Sequence, residues 1–222
     1  MKKGWSFLVC LLLFCGCSVR DDLSGDGAYS YLTSDFVELR IREPLQAVSA
    51  VNDKDELLHF IQPLECRWAT KGDTVYRALL YYNIIPEKVS VSPQSAVPVS
   101  VLHPQPSYTV VTMKTDPVVF RSAWVSNHLR YLNIGIGLKT GQDSSLPETT
   151  KHVIGIVKHP ESVDESGRRV HHWVLYHAQN EIPAYYTQDI YASVPLLDVD
   201  KNDVIELTIH TFQGTVVKRF TF

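Results

Sequence analysis

The stretch Asp35-Phe36-Val37-Glu38-Leu39-Arg40-Ile41 decides the fold class, because apolar and charged residues alternate in it from Val37 onward. In an extended strand, successive side chains point to opposite faces. The three aliphatic residues therefore share one face, and Glu38 and Arg40 share the other. This alternation predicts a β-strand with one face in a core and the other in solvent.

The rest of the first half continues this pattern with further strand-length runs. Residues 75–85 are apolar on both faces, which is typical of a strand through the middle of a core. Residues 108–113 predict the last strand of this half. Between them, residues 93–106 contain four prolines and predict an irregular connection with room for one edge strand. Residues 53–60 predict one or two turns of helix.

A second set of strands begins after Asp116-Pro117. Between residues 132 and 138, four aliphatic residues point one way, while Gly135 and Gly137 leave room for a close backbone approach or a bulge. Residues 204–222 predict a hairpin with its turn at Gln213-Gly214. Further strands are predicted at 152–158 and 169–177. Since no long amphipathic helix is evident, the sequence predicts an all-β protein.

The N-terminus has the pattern of an export signal. Met1-Lys2-Lys3 is followed by nine consecutive apolar residues, Phe7 to Cys15. This run is about half the length of a membrane-spanning helix of roughly 20 residues, and it fits the apolar region of a signal peptide. Leu13-Phe14-Cys15-Gly16-Cys17 resembles a bacterial lipobox. We therefore expect residues 1–16 to be removed and Cys17 to be acylated, which anchors the chain to a membrane.

Residues 17–30 are polar and contain glycine, which predicts a flexible tether between the lipid and the folded part. Within it, Arg20-Asp21-Asp22 resembles the signals that send some lipoproteins of gut bacteria to the outer face of the outer membrane. This favours display on the cell surface over the periplasm. A solvated tether of the same composition has no such meaning, so both locations stay open.

Charge and cysteine content limit the partners and the redox chemistry. Without the signal peptide the chain carries 19 basic and 24 acidic residues, a net charge of −5, which argues against a nucleic acid partner. Cys10 and Cys15 leave with the signal peptide and Cys17 is acylated. Only Cys66 remains, so no intramolecular disulfide is expected. A lone cysteine in an apolar stretch is more often a small core residue than a nucleophile.

Several short motifs, in this order and spacing, resemble those of NigD-like bacterial lipoproteins. In the first half the motif is Gly72-Asp73 leading into residues 75–85. In the second half the motifs are Asp116-Pro117, Trp124, Tyr131-Leu132-Asn133-Ile134, His152, Leu175-Tyr176-His177-Ala178 and Asp203-Val204-Ile205-Glu206-Leu207. The resemblance covers most of the chain after the signal peptide.

The resemblance implies an OB-like barrel over residues 31–115, followed by an immunoglobulin-like β-sandwich over residues 116–222. The family name derives from a bacteriocin operon, which implies a role in toxin release or immunity. The family has no assigned catalytic residues, so none is carried over. The proline-rich residues 93–106 are a departure from the family pattern, and the OB assignment is weakest there.

Candidate metal and catalytic patterns in the sequence are weak. His171 and His177 share one face of a predicted strand, but six residues separate them, so they stand roughly 20 Å apart. His152 or His210 would have to complete a metal site. Residues 198–203 begin like a calcium loop, but Asp203 stands where glycine is needed. We therefore expect no metal, no cofactor and no catalytic residue, and a polar turn at 198–203.

Aromatic residues are the remaining candidates for a binding site. Tyr185 and Tyr186 follow Pro183 beside turn residues and should be exposed, whereas Trp173 is either a core residue or part of a binding surface. The preferred function is a non-catalytic, membrane-anchored envelope protein that binds a protein or a glycan. The alternatives are a bacteriocin-associated or immunity lipoprotein, and a glycan-binding protein of the cell surface.

Overall fold

The computed structural model describes residues 32–85 and 90–222. Leu32–Phe222 form one unit by their contacts, and it contains two hydrophobic cores. The expected signal peptide, Cys17 and the tether lie outside the described residues. Among those described, regular structure consists of strands and two short 3-10 turns, and no helix is both long and apolar enough to cross a membrane. The all-β prediction is confirmed.

The first five strands form a closed barrel in the order β1-β2-β3-β5-β4, which is the strand order of an OB fold. β3 and β5 pair in parallel, and the other neighbours pair in antiparallel fashion. The strands are β1 Leu32–Glu43, β2 Gln46–Asn52, β3 Leu57–Glu65, β4 Thr74–Ile84 and β5 Ser90–Pro98. As the alternating pattern predicts, Val37, Leu39 and Ile41 are fully buried inside the barrel.

The remaining strands form two sheets around the second core. They are β6 Ser100–Val101, β7 Gln105–Pro106, β8 Val119–Val125, β9 Tyr131–Thr140, β10 Val153–Lys158, β11 Ser162–Val163, β12 Arg169–Ala178, β13 Tyr186–Pro195, β14 Val204–Thr211 and β15 Gly214–Thr221. One sheet has the order β15-β14-β12-β10-β7, with β11 beside β12, and the other has the order β6-β13-β9-β8. The layers are those of a β-sandwich. However, β12 and β14 pair in parallel, whereas the sheets of an immunoglobulin sandwich are antiparallel.

Two local predictions were wrong, and a third, the irregular connection at 93–106, was wrong for residues 93–98, while the short edge strands β6 and β7 lie in its remainder. Residues 93–98 belong to barrel strand β5, because Pro93 lies beside a bulge and Pro98 ends the strand, where the missing N–H groups cost no regular ladder bond. Residues 53–60 form a tight turn and the start of β3, since the Asn52 side chain accepts bonds from the amides of Lys54 and Glu56. Residues 108–113 form no strand. A 3-10 turn at Ser107–Thr109 is followed by exposed chain.

The segment after β5 joins the barrel to both sheets of the sandwich. β6 pairs with β13 in one sheet, and β7 pairs with β10 in the other. Residues 100–106 therefore lie in the sandwich, although the resemblance places them in the first domain. The predicted hairpin at 204–222 is confirmed, with Gly214 at a φ of 116°, which only glycine adopts without strain.

Candidate functional site

The outer face of the β6-β13-β9-β8 sheet carries two exposed tyrosines. Tyr191 on β13 stands opposite Gly135 on β9 in the strand register. A Cβ at Gly135 would lie 3.0 Å from the Tyr191 ring, so the missing side chain is what lets the ring lie against the β9 backbone. Tyr191 remains 43% exposed. The glycine spacing in the sequence predicted a close backbone approach or a bulge. The Tyr191 ring approaches the backbone at Gly135, and β8 has a bulge between Phe120 and Ser122 opposite it.

The same arrangement recurs at the other end of the strand pair. Tyr185 directly precedes β13, and Gly141 directly follows β9. A Cβ at Gly141 would lie 2.6 Å from the Tyr185 ring, which is 75% exposed. The backbone N–H of Tyr185 also donates to the carbonyl of Thr140 at 3.0 Å, which fixes the position of the residue. Both rings are thus supported from below and open above.

Between the two tyrosines the face is polar. Gly137 pairs with Asp189, and Lys139 pairs with Thr187 across the two strands. The Arg121 guanidinium donates to Asp189 Oδ1 at 3.0 Å, and both side chains are about half exposed. We call the surface formed by Tyr185, Tyr191, Gly135, Gly137 and Gly141 the tyrosine face. Its ends are aromatic, and its middle offers donors and acceptors.

An aromatic cluster borders the tyrosine face on the barrel side. Phe36 of β1 makes edge-on contacts with Trp124 at 5.2 Å and with Tyr191 at 5.3 Å between ring centroids. Phe36 points out of the barrel, because it alternates with the buried residues of β1. The barrel therefore covers one end of the sheet and leaves the tyrosine face open.

A buried polar network holds the barrel on the covered end of this sheet. Arg77 of β4 donates to Asp53 Oδ2 at 2.7 Å, to Asn133 Oδ1 and Ser193 Oγ at 3.0 Å each, and lies 4.2 Å above the Tyr131 ring. Its side chain is only 1% exposed. Burial, together with a hydrogen bond to Glu38, raises the pKa of Tyr131. We call this network of Arg77 with Asp53, Asn133 and Ser193 the joint, because it fixes the barrel on the sheet that carries the tyrosine face.

Two open clefts lie at the loop end of the sandwich, with volumes of about 860 and 840 Å³. Leu146 and Pro147 lie between them and line both clefts. Gly141 lines the second cleft together with Gln142, Asp143 and Glu148. Hydrogen bonds from Ser145 to Asp143 lower the pKa of that carboxyl, so it is ionised at neutral pH. The tyrosine face is therefore continuous with a polar cleft at Gly141.

The aromatic residues proposed from the sequence have different surroundings. Tyr185 and Tyr186 are 75% and 55% exposed, as their position beside turn residues predicts. Adjacent strand residues face opposite ways, so only Tyr185 joins the tyrosine face. Trp173 is 4% exposed and packs in the sandwich core against His171. It also lines a small cleft of about 150 Å³ beside His171, so its burial favours the core alternative while a binding role for Trp173 stays a prediction.

The candidate metal ligands are engaged with other groups. His171 contacts Glu161 and Asp203, whereas His177 stacks on His152 with 3.0 Å between Nε2 and Nδ1. Arg169 lies against the carboxylates of the 198–203 turn. No cluster of three or more His, Cys, Asp or Glu side chains suited to a metal was found in residues 32–85 and 90–222. Cys66 is buried in the barrel core, and burial raises the pKa of its thiol.

Sequence reasoning missed the pairing of tyrosine with glycine. Gly141 lies outside the alternating 132–138 run, and its partner Tyr185 is 44 residues away, so only the β9–β13 register connects them. One signal was available in the sequence. Tyr185 and Tyr191 are six residues apart, an even separation that puts both on one face of an extended segment.

No protein-family model and no curated protein matches the chain. Solved structures do match it. A NigD-like immunity protein from Bacteroides caccae has a TM-score of 0.63 at 21% identity, covering 85% of this chain and 91% of that one. A protein of unknown function, DUF1344, from Bacteroides vulgatus has a TM-score of 0.63 at 15% identity, covering 86% and 90%. A candidate lipoprotein from Bacteroides fragilis has a TM-score of 0.57 at 10% identity, covering 85% and 96%.

At these identities the likeness shows a shared fold. The resemblance to NigD-like proteins read from the sequence is confirmed at that level, and it extends over the barrel and the sandwich together.

Proposed function

We propose that this chain is a non-catalytic binding protein, anchored in the outer membrane by a lipid on Cys17, that holds its ligand on the tyrosine face. The signal peptide and Cys17 in the sequence support the anchor. A shared fold with a candidate lipoprotein agrees with it. The Arg20-Asp21-Asp22 triplet favours the outer leaflet, where the face would meet molecules outside the cell.

The observation that carries this proposal is the pair of exposed rings, each held against a glycine. An exposed aromatic side chain normally loses rotamer freedom when it binds a partner, and that loss weakens binding. Tyr185 and Tyr191 are already placed by the glycine backbones beneath them. A surface of preset aromatic rings with polar groups between them is typical of a recognition site.

The polar groups of the tyrosine face favour binding over catalysis. A general acid or base needs a proton affinity matched to its task and free access to the substrate. Here the Arg121 guanidinium and the Asp189 carboxylate are paired with each other at 3.0 Å. This pair can donate and accept hydrogen bonds, whereas proton transfer would require it to separate. We therefore assign the face to recognition.

Capture of envelope material by the full-length, detergent-extracted protein tests this role. Wild type is compared with Tyr185→Ala and with Tyr191→Ala, after reversible crosslinking in intact cells. Tyr108→Ala is the matched control, since Tyr108 is 88% exposed and lies away from the tyrosine face. We expect both variants of the face to lose captured material and the control to retain it. Equal capture by all four proteins would contradict the assignment of the site.

The anchor and the location are tested separately. Metabolic labelling with a fatty-acid analogue should mark wild type and leave Cys17→Ala unlabelled. Protease treatment of intact cells should then remove the β domains, if the protein lies on the outer surface. Protection until the outer membrane is opened would place the tyrosine face in the periplasm.

A second candidate function is immunity to a bacteriocin. The observation that favours it is the shared fold with the NigD-like immunity protein from Bacteroides caccae. Deleting the gene should then sensitise the cells to toxin from a neighbouring strain, and re-expression should restore resistance. Unchanged killing of the deletion strain would remove this candidate.

A further inference from the structure

We infer that the ligand of the tyrosine face is an extended chain of neutral sugars. This inference rests on the proposed binding function and specifies the chemistry of its ligand. Four features carry it: the spacing of the rings, the groups between them, the charge balance of the face, and the cleft at one end.

The spacing of the two rings fits an elongated ligand. Tyr185 and Tyr191 are six residues apart along one strand, and a strand rises about 3.3 Å per residue, so the rings stand roughly 20 Å apart. A single sugar cannot touch both rings, but a chain of several sugars can. The sheet between them presents Gly137, without a side chain, on the β9 side. On β9, Gly135 and Gly137 leave the surface low beside Tyr191, and Lys139 is the one long side chain on this face of the strand between Gly137 and Gly141.

The chemistry of the face matches the chemistry of a sugar chain. A pyranose ring has an apolar face of C–H groups, which stacks on an aromatic ring, and hydroxyl groups around its edge. Tyr185 and Tyr191 supply the ring faces, and the tyrosine hydroxyls add polar edges. Arg121 supplies donors and Asp189 supplies acceptors between the rings. A hydroxyl group both donates and accepts, so it can use both members of this ion pair.

The charge balance of the face selects for a neutral ligand. Arg121 and Asp189 neutralise each other, and Lys139 adds one positive charge, which the two carboxylates of the adjoining cleft outweigh. The adjoining cleft contains two carboxylates, Asp143 and Glu148, and the first of them is held in its ionised form. An acidic polysaccharide or a nucleic acid would be repelled there, and phosphate recognition requires clustered basic groups. A neutral chain can enter the cleft and bond to these oxygens.

A proline-rich peptide is the other extended ligand that binds aromatic surfaces. Proline lacks an N–H group, so such a peptide offers mainly carbonyl acceptors. The free acceptor positions of Asp189 and of the acidic cleft would then find few donors on the ligand. The polar groups of the face therefore favour a sugar chain over a peptide.

Affinity electrophoresis of the full-length, detergent-solubilised protein tests this inference. The gels contain neutral polysaccharides, namely a β-glucan, a mannan or a xylan, and a parallel gel contains polygalacturonate. We expect at least one neutral polymer to retard wild type, and polygalacturonate to leave its mobility unchanged. Tyr185→Ala and Tyr191→Ala should each weaken the retardation about tenfold or more, as for other aromatic anchors. Tyr185→Phe, which keeps the ring, and Tyr108→Ala should behave like wild type.

Each contrary outcome has its own meaning. If no neutral polysaccharide retards wild type while envelope capture still depends on Tyr185, the sugar class is wrong and the binding role remains. Tyr185-dependent binding of a proline-rich peptide, measured by fluorescence anisotropy, would also overturn the sugar class. Retardation that is the same in the Tyr185→Ala protein would move the sugar site elsewhere. If no neutral polysaccharide retards wild type and envelope capture depends on neither Tyr185 nor Tyr191, the proposed function is wrong as well.

Discussion

The outer face of the β6-β13-β9-β8 sheet has two halves, one covered by the barrel and one open, and they differ in composition. Near the barrel, Asn133 and Ser193 point from β9 and β13 into a buried network around Arg77. A few residues further along the same strands, glycines and tyrosines take their place, and the face is open. A charge removed from water needs several partners, so the covered half is polar and dense. The open half keeps its aromatic rings available by giving them flat backbone to lie on.

Replacing Arg77 should have the largest effect on stability, because it breaks the covered half. Arg77→Ala leaves the Asp53 carboxylate buried without its cation and removes bonds to Asn133 and Ser193. Removing one partner of a buried ion pair costs about 3–5 kcal/mol. We expect a loss of this size in the free energy of unfolding, measured with urea.

A matched control for Arg77 is available in the same barrel. Arg67→Ala breaks an ion pair with Glu65. Because the Arg67 and Glu65 side chains are 90% and 58% exposed, this variant should leave the urea midpoint unchanged. If Arg77→Ala unfolds at the wild-type urea concentration, the network does not stabilise the joint.

Adding a methyl group to the open half should have the next largest effect. Gly137→Ala would place a Cβ 2.5 Å from the Thr187 methyl group, 2.8 Å from Asp189 Oδ1 and 3.2 Å from Val119 Cβ. The Asp189 carboxylate can rotate away, but the Thr187 and Val119 atoms belong to short side chains that cannot, so the strands must shift, at a cost of about 1–3 kcal/mol. Gly155→Ala is the control, since its new Cβ would meet nothing closer than 3.8 Å. Thermal unfolding of Gly137→Ala and Gly155→Ala measures the difference. Equal melting temperatures would mean that the sheet accommodates the Cβ at Gly137 without cost.

His152 and His177 form a stacked pair that carries no charge, in contrast to the buried Arg77–Asp53 ion pair. The His177 Nδ1–H donates to the Asp116 carbonyl, so its Nε2 accepts from the Nδ1–H of His152. Within the described residues, His152 Nε2 is buried without a hydrogen-bond partner. Burial, and secondarily the electrostatic effect of the nearby His177 imidazole, lowers the pKa of His152 below its usual value of 6.5. The folded protein therefore holds this histidine in the neutral form.

The lowered pKa of His152 predicts how stability changes with pH. Below pH 6.5 the unfolded chain takes up a proton on His152 that the folded protein resists. The free energy of unfolding should therefore be at its full value above pH 6.5 and fall as the pH drops below it. His152→Gln should reduce this slope between pH 7 and 5, whereas His159→Gln, at an exposed position, should not. An unchanged slope in His152→Gln would assign the acid sensitivity to other groups.

Local patterns in the sequence predicted the cores better than they predicted the site. Alternation identified Val37, Leu39 and Ile41 as core residues, and the spacing of Gly135 and Gly137 predicted a close approach, because each depends on neighbours along the chain. Arg77 bonds to residues 24, 56 and 116 positions away, so nothing near it in the sequence marks its role. β5 was missed for a related reason. Its prolines are tolerated only because a bulge and the strand end receive them.

The smallest effect on stability should come from Tyr185, and this is what separates the two halves most clearly. Its ring is 75% exposed and rests on a single glycine, so Tyr185→Ala should change the free energy of unfolding by no more than about 0.5 kcal/mol. Tyr191→Ala should cost more, because it also removes ring contacts with Phe36 and Trp124. Urea unfolding of the two variants, alongside envelope capture, distinguishes the roles. Replacing a residue that serves recognition alone should weaken binding and leave the free energy of unfolding unchanged. Replacing a residue that also serves packing should lower both. A large destabilisation by Tyr185→Ala would mean that the open half of the sheet is built like the covered half.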